Sequence, residues 1–370
     1  MRVERFTDPD SLAPLRPAWN ALAGGVPFRR YDWLMPWWRH FGGDQRLCVL
    51  GVFEDERLIG LAPWYRTSGT AGGQTLRFLG DGPVCTDYLD ILAHPDHTYR
   101  VPPLVVDWLS DALQQGNESW DVLEWENLEQ NTPIASRLSE QMARHQAIVN
   151  RLPAQNCWRL ELPESWHDFE MQQSKSHRKQ IRRQISRVLD TDRCRLHVCR
   201  GTAGLDEALA ILTDLHMRRR KSLGQPGCFA CDNFTGFLHE ATKELMADGL
   251  SEILWLDLDG QPVAAEIHFI GGAVSYAYQA GIDPERLHEE PGSLMQIAVI
   301  RRAIEQGRQA VDFLRGDEPY KAHWRAQPRA CETVRIVPNT TSGLIRHGIW
   351  TTQTQLKDWV RAGLAKSGMI

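Results

Sequence analysis

Short apolar blocks and polar turns recur in a pattern that occurs twice along the chain. Residues 47–53 read as a strand, 54–57 as a polar turn and 58–64 as the returning strand. Further on, residues 253–257, the Asp259-Gly260 turn and residues 262–270 repeat the arrangement, Asp-Gly being a strong hairpin signal. Each hairpin follows an aromatic helical segment, 31–41 in the first half and 234–246 in the second. A further strand follows in each half, at 121–125 and 310–314. The chain thus reads as one structural unit present twice.

The second half is the clearer. Residues 273–279 alternate like a strand, 281–292 read as a loop, and Ser293 stands where it can cap a helix over 294–306 that Gly307 ends. Strand, hairpin, strand, helix and strand in that order predict a mixed α/β sheet. The expected division is an N-terminal domain over 1–165, a basic linker helix and strand over 166–200, a C-terminal domain over 201–340 and a C-terminal helix over 341–370. Ile349, Leu356, Trp359 and Val360 fall on the apolar side of that last helix.

Residues 174–187 change the picture. They hold six Lys or Arg and no acid. Ile181, Ile185 and Val188 share one helical face, while Arg178 with Arg182, and Lys179 with Arg183 and Arg187, form basic rows at four-residue spacing. Like charges at that spacing cost helix stability, so the row either invites an anionic partner or is a solvated face balanced by the acidic remainder. A nucleotide, a phosphate or a phospholipid head group would satisfy it.

Composition narrows the classes. With 42% hydrophobic and 24% charged residues, the 370-residue chain can bury a sizeable core. A net charge of −5 argues against nucleic-acid binding by bulk electrostatics. Eight irregularly spaced cysteines read as free thiols of a reducing cytosol. Cys228-Phe-Ala-Cys231 is a lone CxxC, and Cys194-Arg-Leu-His197-Val-Cys199 sits in an alternating run, so no metal is expected. Residues 1–8 lack the apolar core of a signal peptide, and no stretch is apolar enough to span a membrane. Cytoplasmic location is the expectation.

Candidate chemistry gathers late. Residues 311–324 run from an apolar strand through a glycine turn to two carboxylates, a tyrosine, a lysine, a histidine and a tryptophan. Such a loop at a strand end is a usual place for reactive groups. Asp312, inside a strand pattern, needs a partner, and Lys321 is the natural candidate. Glu266 and His268 are two apart on one strand and so share a face, either turned to a cleft as a general base or simply exposed. Asp283 before Pro284 suits a turn.

In their order, Pro262-Val-Ala-Ala265, Tyr276-Ala-Tyr278, Gly281-Ile-Asp-Pro284, Pro291-Gly-Ser-Leu294 and Asp312-Phe-Leu-Arg-Gly316 with Tyr320-Lys321 resemble the GNAT-type acetyltransferases of the CelD/FemAB-like group. Tyr31-Asp-Trp33, Trp37-Trp38, Leu61-Ala-Pro63 and Asp87-Tyr-Leu-Asp90 match more loosely, so the resemblance spans roughly 25–340. It implies a duplicated GNAT-like fold whose two halves pack together. It also implies acyl transfer from acetyl-CoA or another acyl-CoA to an amine or hydroxyl of a sugar, lipid-linked or amino acceptor, in envelope or exopolysaccharide synthesis.

Glu266, His268, Asp312 and Lys321 would then serve catalysis, and Gly292, Ser293, Arg178 and Arg182 the donor's phosphates. Asp87, Tyr88, Tyr278 and Tyr320 would bind substrate. Glu289 and Glu290 depart from the family's phosphate loop. They keep two alternatives open: a transferase that uses aminoacyl-tRNA, bound through residues 174–187, and a non-catalytic binding module, peripheral to a synthesis complex.

Overall fold

The computed structural model describes residues 1–69, 73–115, 119–130 and 132–366, with side chains in the last helix only to residue 354. Leu356, Trp359 and Val360 therefore lie outside the described side chains. The first half contains strands β1 (Arg2–Phe6), β2 (Arg46–Glu54), β3 (Arg57–Gly69), β4 (Gly73–Phe78), β5 (Leu92–Ala93), β6 (Val122–Glu129) and β7 (Ile148–Pro153). The rest of the chain adds β8 (Cys157–Glu161), β9 (Cys194–Cys199), β10 (Ser251–Leu258) and β11 (Gln261–Gly271). It ends with β12 (Val274–Ile282), β13 (Ala310–Arg315), β14 (Gln327–Arg329) and β15 (Cys331–Val337).

Two mixed sheets result. One runs β1-β2-β3-β4-β6-β15-β7 with β5 beside β3, the other β14-β8-β13-β12-β11-β10-β9. The duplication expected from the hydrophobic pattern is plain in the topology. The hairpins β2–β3 and β10–β11 each lead to a third antiparallel strand, β4 or β12. A helix, Val101–Gln115 or Pro291–Glu305, then crosses over to a parallel neighbour, β6 or β13.

The halves also exchange strands. β8, from the first sequence half, pairs antiparallel with β13, with Asp312 opposite Arg159. β15, near the end of the described chain, inserts between β6 and β7, with Val334 opposite Trp125. Both strands therefore cross the division at residues 165 and 201 read from the sequence. They are short and their partners lie far away along the chain, so local periodicity does not show where they pair.

Aromatic side chains from both halves meet between the sheets. Trp33, fully buried in the helix Tyr31–Phe41, holds edge-on contacts with Phe237 at 4.8 Å, Phe269 at 5.0 Å and Tyr278 at 5.1 Å. Phe28 packs edge-on to Trp33 at 5.0 Å and to Tyr276 at 5.5 Å. Edge-to-face pairs of this kind add to the burial term. One continuous core cluster runs through both halves as a result.

Local differences from the sequence reading have simple causes. The helix Pro291–Glu305 starts two residues before Ser293, with Glu290 at its N-cap in a left-handed conformation (φ 55°). Pro291 suits the first helical position, so the start moves upstream. Ser293 then lies inside the first turn and bonds Gln184 instead. The basic helix runs over Lys175–Gln184, capped by Ser174 on the His177 amide at 3.3 Å. His177, Ile181 and Gln184 form its buried side. No helix among the described residues is long and apolar enough to cross a membrane.

Because Trp33 joins the halves, Trp33→Ala should destabilise the whole chain by roughly 3–5 kcal/mol. Thermal or urea unfolding would show one transition moved to lower temperature or denaturant. A second, independent transition for one half would count against a shared core.

Candidate active site

β12 and β13 are neighbours only over Val274–Tyr276 and Ala310–Asp312. Beyond that point β12 continues along β11 as far as Ile282, while β13 turns at Leu314, whose φ of 56° is unusual for a branched residue. The two parallel strands therefore part, and the gap opens toward their C-terminal ends, where such sheets place ligands.

Residues 84–88 of the first half reach both lips of the gap. On the β12 side the Tyr278 hydroxyl donates to the Val84 carbonyl at 2.6 Å. On the β13 side the Tyr88 hydroxyl donates to Asp312 Oδ2 at 2.6 Å, and the Leu314 amide donates to Oδ1 at 2.9 Å. Arg315 Nε donates to Asp87 Oδ1 at 2.6 Å, its amide to Oδ2 at 3.0 Å, and Nη2 to the Thr86 carbonyl at 2.8 Å. Asn127, its amide oxygen turned to the guanidinium, adds an acceptor. Burial raises the Asp87 pKa, opposed by Arg315. Burial also raises Asp312, to about 6, against the lowering effect of the Tyr88 hydrogen bond. Asp87, Tyr88, Tyr278 and Asp312 are thus brought together, as a buried bridge between the halves.

Lys321 is only 2% exposed. Its ammonium donates to the carbonyls of Leu314 at 3.1 Å, Arg315 at 2.7 Å and Gly316 at 3.0 Å, and lies 2.9 Å from Glu318. Asp312 and Lys321, paired in the sequence reading, hold different partners. The lysine fastens the turn that ends β13, and the aspartate's hydrogen bond comes from Tyr88, 224 residues away.

Glu266 and His268 do share a face of β11, and that face is covered. They are 5% and 1% exposed beneath the helix Pro291–Glu305. Gln296 of that helix donates to Glu266 Oε1 at 2.6 Å; Glu266 Oε2 and His268 Nε2 are 2.9 Å apart, and His268 Nδ1 is 2.9 Å from Ser275 Oγ. Tyr320, 43% exposed, stacks edge-on to Phe313. Burial raises its pKa and the Glu266 charge adds to this, so it stays a phenol at neutral pH.

The four residues expected to hold donor phosphates are not one cluster. Gly292 and Ser293 stand at the helix start, where Gln184 donates to Glu290 at 2.7 Å and accepts from Ser293 at 3.1 Å. Glu289 pairs with Arg193 at 3.1 Å, and Arg183 lies 3.7 Å from Glu290, so both acids face cations. Arg182 is held by Glu170 at 3.0 Å and Arg178 by the Met171 sulfur at 3.2 Å. His177, between His323 at 4.0 Å and Trp324 at 4.7 Å, is held down to about 4 by burial, then by His323 and Arg325.

Arg315, Gln296, Gln184 and His177 escaped the sequence reading. His177 and Gln184 could have been found, because they fall on the same helical stripe as Ile181. Among the described residues no group of three or more His, Cys, Asp or Glu side chains is placed to hold a metal ion.

Asp312 ties stability to pH. Its folded pKa of about 6 lies above the ordinary carboxylate value, so the folded chain keeps a proton that the unfolded chain has lost. This contribution is present at low pH and is lost as pH rises from about 4 through about 6. Asp312→Asn should remove it, flattening the stability profile in that window by on the order of 2 kcal/mol. Urea unfolding measured across the window would test this, and an unchanged slope would refute it.

The Acetyltransferase (GNAT) domain family matches residues 175–322, which hold β9 to β13 and the parted strands. No curated protein sequence matches the chain. Among solved structures, FemX superposes with a TM-score of 0.63 at 11% identity, over 93% of this chain and 100% of its own. A conserved protein of unknown function from Bacteroides thetaiotaomicron gives 0.56 at 13% identity, over 91% of this chain and 100% of its own. The C-terminal domain of a protein described as a lysylphosphatidylglycerol synthetase, from Agrobacterium fabrum, gives 0.54 at 10% identity, over 91% and 96%. At these identities the likeness speaks for the fold alone. Residues 175–322 match the GNAT-type acetyltransferase domain family, and the chain's two mixed sheets have the tandem GNAT-like fold.

Proposed function

We propose that the chain is an acyltransferase that moves an acyl group from a thioester donor, acyl-CoA, to an amine or hydroxyl of a sugar, lipid-linked or amino acceptor. The observation that carries this reading is the parting of β12 from β13 inside the GNAT domain. The gap gives an extended donor a slot with unpaired strand edges, and the helix at Pro291–Glu305 presents its N-terminus nearby. The acids of the preceding turn already face Arg193, Arg183 and Gln184, which removes much of the repulsion a phosphate would meet. Gly292 and Ser293 would receive the donor's phosphates, with Arg178 and Arg182 on the flanking helix. The pathway we assign is envelope or exopolysaccharide synthesis.

Within this reading Glu266 takes the proton from the acceptor as it attacks the thioester carbonyl. Gln296 and His268 orient the carboxylate, and the His268–Ser275 contact fixes the imidazole. Tyr320, kept protonated, donates to the leaving thiolate. Lys321 acts by positioning: with its charge on three carbonyls it fixes the turn that carries Tyr320. Asp87, Tyr88, Asp312 and Tyr278 keep the lips of the gap apart and shape the acceptor side.

The basic helix favours a second reading, in which the donor is aminoacyl-tRNA. Lys175 and Lys179 stand exposed on it and Arg187 just beyond its end, on a chain of net charge −5. Phosphate contacts would make such binding fall steeply with salt.

Glu266→Gln keeps shape and hydrogen bonding but cannot take a proton. It should lower the rate of acyl-CoA-dependent thiol release by roughly 10²–10⁴-fold with little change in melting temperature. Lys321→Met should do the reverse, lowering the melting temperature first. A protein that neither binds acyl-CoA in calorimetry nor transfers from aminoacyl-tRNA would sink the proposal. Salt-sensitive tRNA binding lost in the Arg178, Arg182 and Arg183→Glu triple variant would decide for the second donor.

A further inference from the structure

In the N-terminal sheet one buried charge goes unanswered. Arg335 stands in β15 between Val334 and Ile336, which are fully buried in the shared core, so its side chain points to the other face of the sheet. The C-terminal helix Thr341–Lys366 lies over it there. Arg335 is 3% exposed, and its guanidinium is 4.8 Å from the ring centre of Trp350. Its Nε and Nη1 are buried, and neither has a hydrogen-bond partner among the described residues. Asn150, directly across from it on β7, likewise buries its amide nitrogen Nδ2 without a partner. Directly opposed residues share a sheet face, so unanswered donors of both strands lie side by side.

A cavity of about 240 Å³ opens at this place, lined by Arg335, Trp350, Glu124, Arg77, Thr67 and Thr75. Glu124 is the neighbour of Arg335 on β6, but its carboxylate is held by Arg77 at 2.5 Å. Arg77 also meets Asp81 at 3.3 Å and Glu126 at 3.2 Å, so three acids answer that one cation. Buried charges are normally paired, because an uncompensated one is costly. The cost shows at Arg335, whose pKa is lowered by burial; Glu124 opposes the effect and Arg77 adds to it. The Trp350 ring offsets part of it by cation–π attraction. What the cavity lacks is an acceptor for the Arg335 fork, and it has the room for one.

We propose that this cavity is a binding site for a small molecule held by its carboxylate, with Arg335 as the anchor. The guanidinium fork takes the two carboxylate oxygens, a match of shape as well as charge. Asn150 and the hydroxyls of Thr67 and Thr75 offer further polar contacts. A single negative charge fits the surroundings best. Arg77 is already matched by acids, and Glu124 on the same wall repels a second negative charge, so a phosphate dianion is the poorer ligand. Trp350 forms part of the cavity wall, so a bound carboxylate ties the C-terminal helix to β15. The site lies outside residues 175–322 and stands whether or not the chain transfers acyl groups.

The test is to melt the full chain in sodium acetate, sodium phosphate and sodium chloride, matched for ionic strength at pH 8, where phosphate is mostly the dianion. Acetate should raise the melting temperature along a saturating curve, phosphate should act more weakly, and chloride should not saturate. Arg335→Met should melt no lower than the parent without acetate, because it removes an unpaired buried charge, and should respond to acetate only as to chloride. Arg335→Lys keeps the charge but loses the fork, and should bind acetate roughly tenfold more weakly. Acetate acting no better than chloride on the parent would overturn the proposal, and so would an acetate effect undiminished in Arg335→Met. Phosphate binding the more tightly would overturn the assignment to a carboxylate. Acetate binding at Arg335 by a chain that consumes no acyl-CoA would leave this site standing while the acyltransferase reading falls.

Discussion

The ion pair between Arg315 and Asp87 is the contact on which the site depends. Asp87 is buried and Arg315 half-buried; the pair joins the last residue of β13 to a loop of the other half, and the guanidinium is also held by Thr86 and Asn127. Removing one partner of such a pair leaves an uncompensated charge in the interior, at a cost of roughly 3–5 kcal/mol. Its geometric effect matters as much. By drawing Arg315 toward the first half, it directs the end of β13 away from β12. Lys321 completes this by binding the carbonyls of Leu314, Arg315 and Gly316.

Much of the architecture was open to reading because it is local. The Asp259-Gly260 hairpin, the aromatic helices and the basic helix each follow from spacing or turn chemistry within a dozen residues. The repeat was visible for the same reason. What could not be read was long-range partnership. Asp312 clearly needed a hydrogen-bond donor, yet nothing nearby marks Tyr88 as that donor, and Lys321 was the nearest plausible choice. Glu266 and His268 were placed correctly on one strand face, but whether a helix lies over that face is a fact of tertiary packing. The crossing strands β8 and β15 are five and seven residues long and carry no mark of the sheet they enter.

The C-terminal sheet carries a buried histidine on each of its faces. On one face the Glu266 carboxylate is held by an amide and an imidazole; on the other the Cys228 thiol is held against the imidazole of His216, whose tautomer the strand itself sets. The two histidines differ in their oriented nitrogens. His268 contacts a hydroxyl and a carboxylate and so forms part of a hydrogen-bonded chain. His216 is bound to a backbone carbonyl and so is left with one nitrogen free to accept.

The strand exchange bears on how the chain acquires this shape during synthesis. Among the described residues β7 pairs with no strand but β15, and β15 ends at Val337. The first sheet therefore cannot be completed by the first half alone, however early that half leaves the ribosome. Its β6 edge stays open until residues 331–337 have emerged, and an open edge is a template for wrong pairing. β8 poses the mirror case, since it is made early and must wait for β13. The two halves are consequently not modules that fold in turn, and neither sheet can be complete before the other's chain is in place.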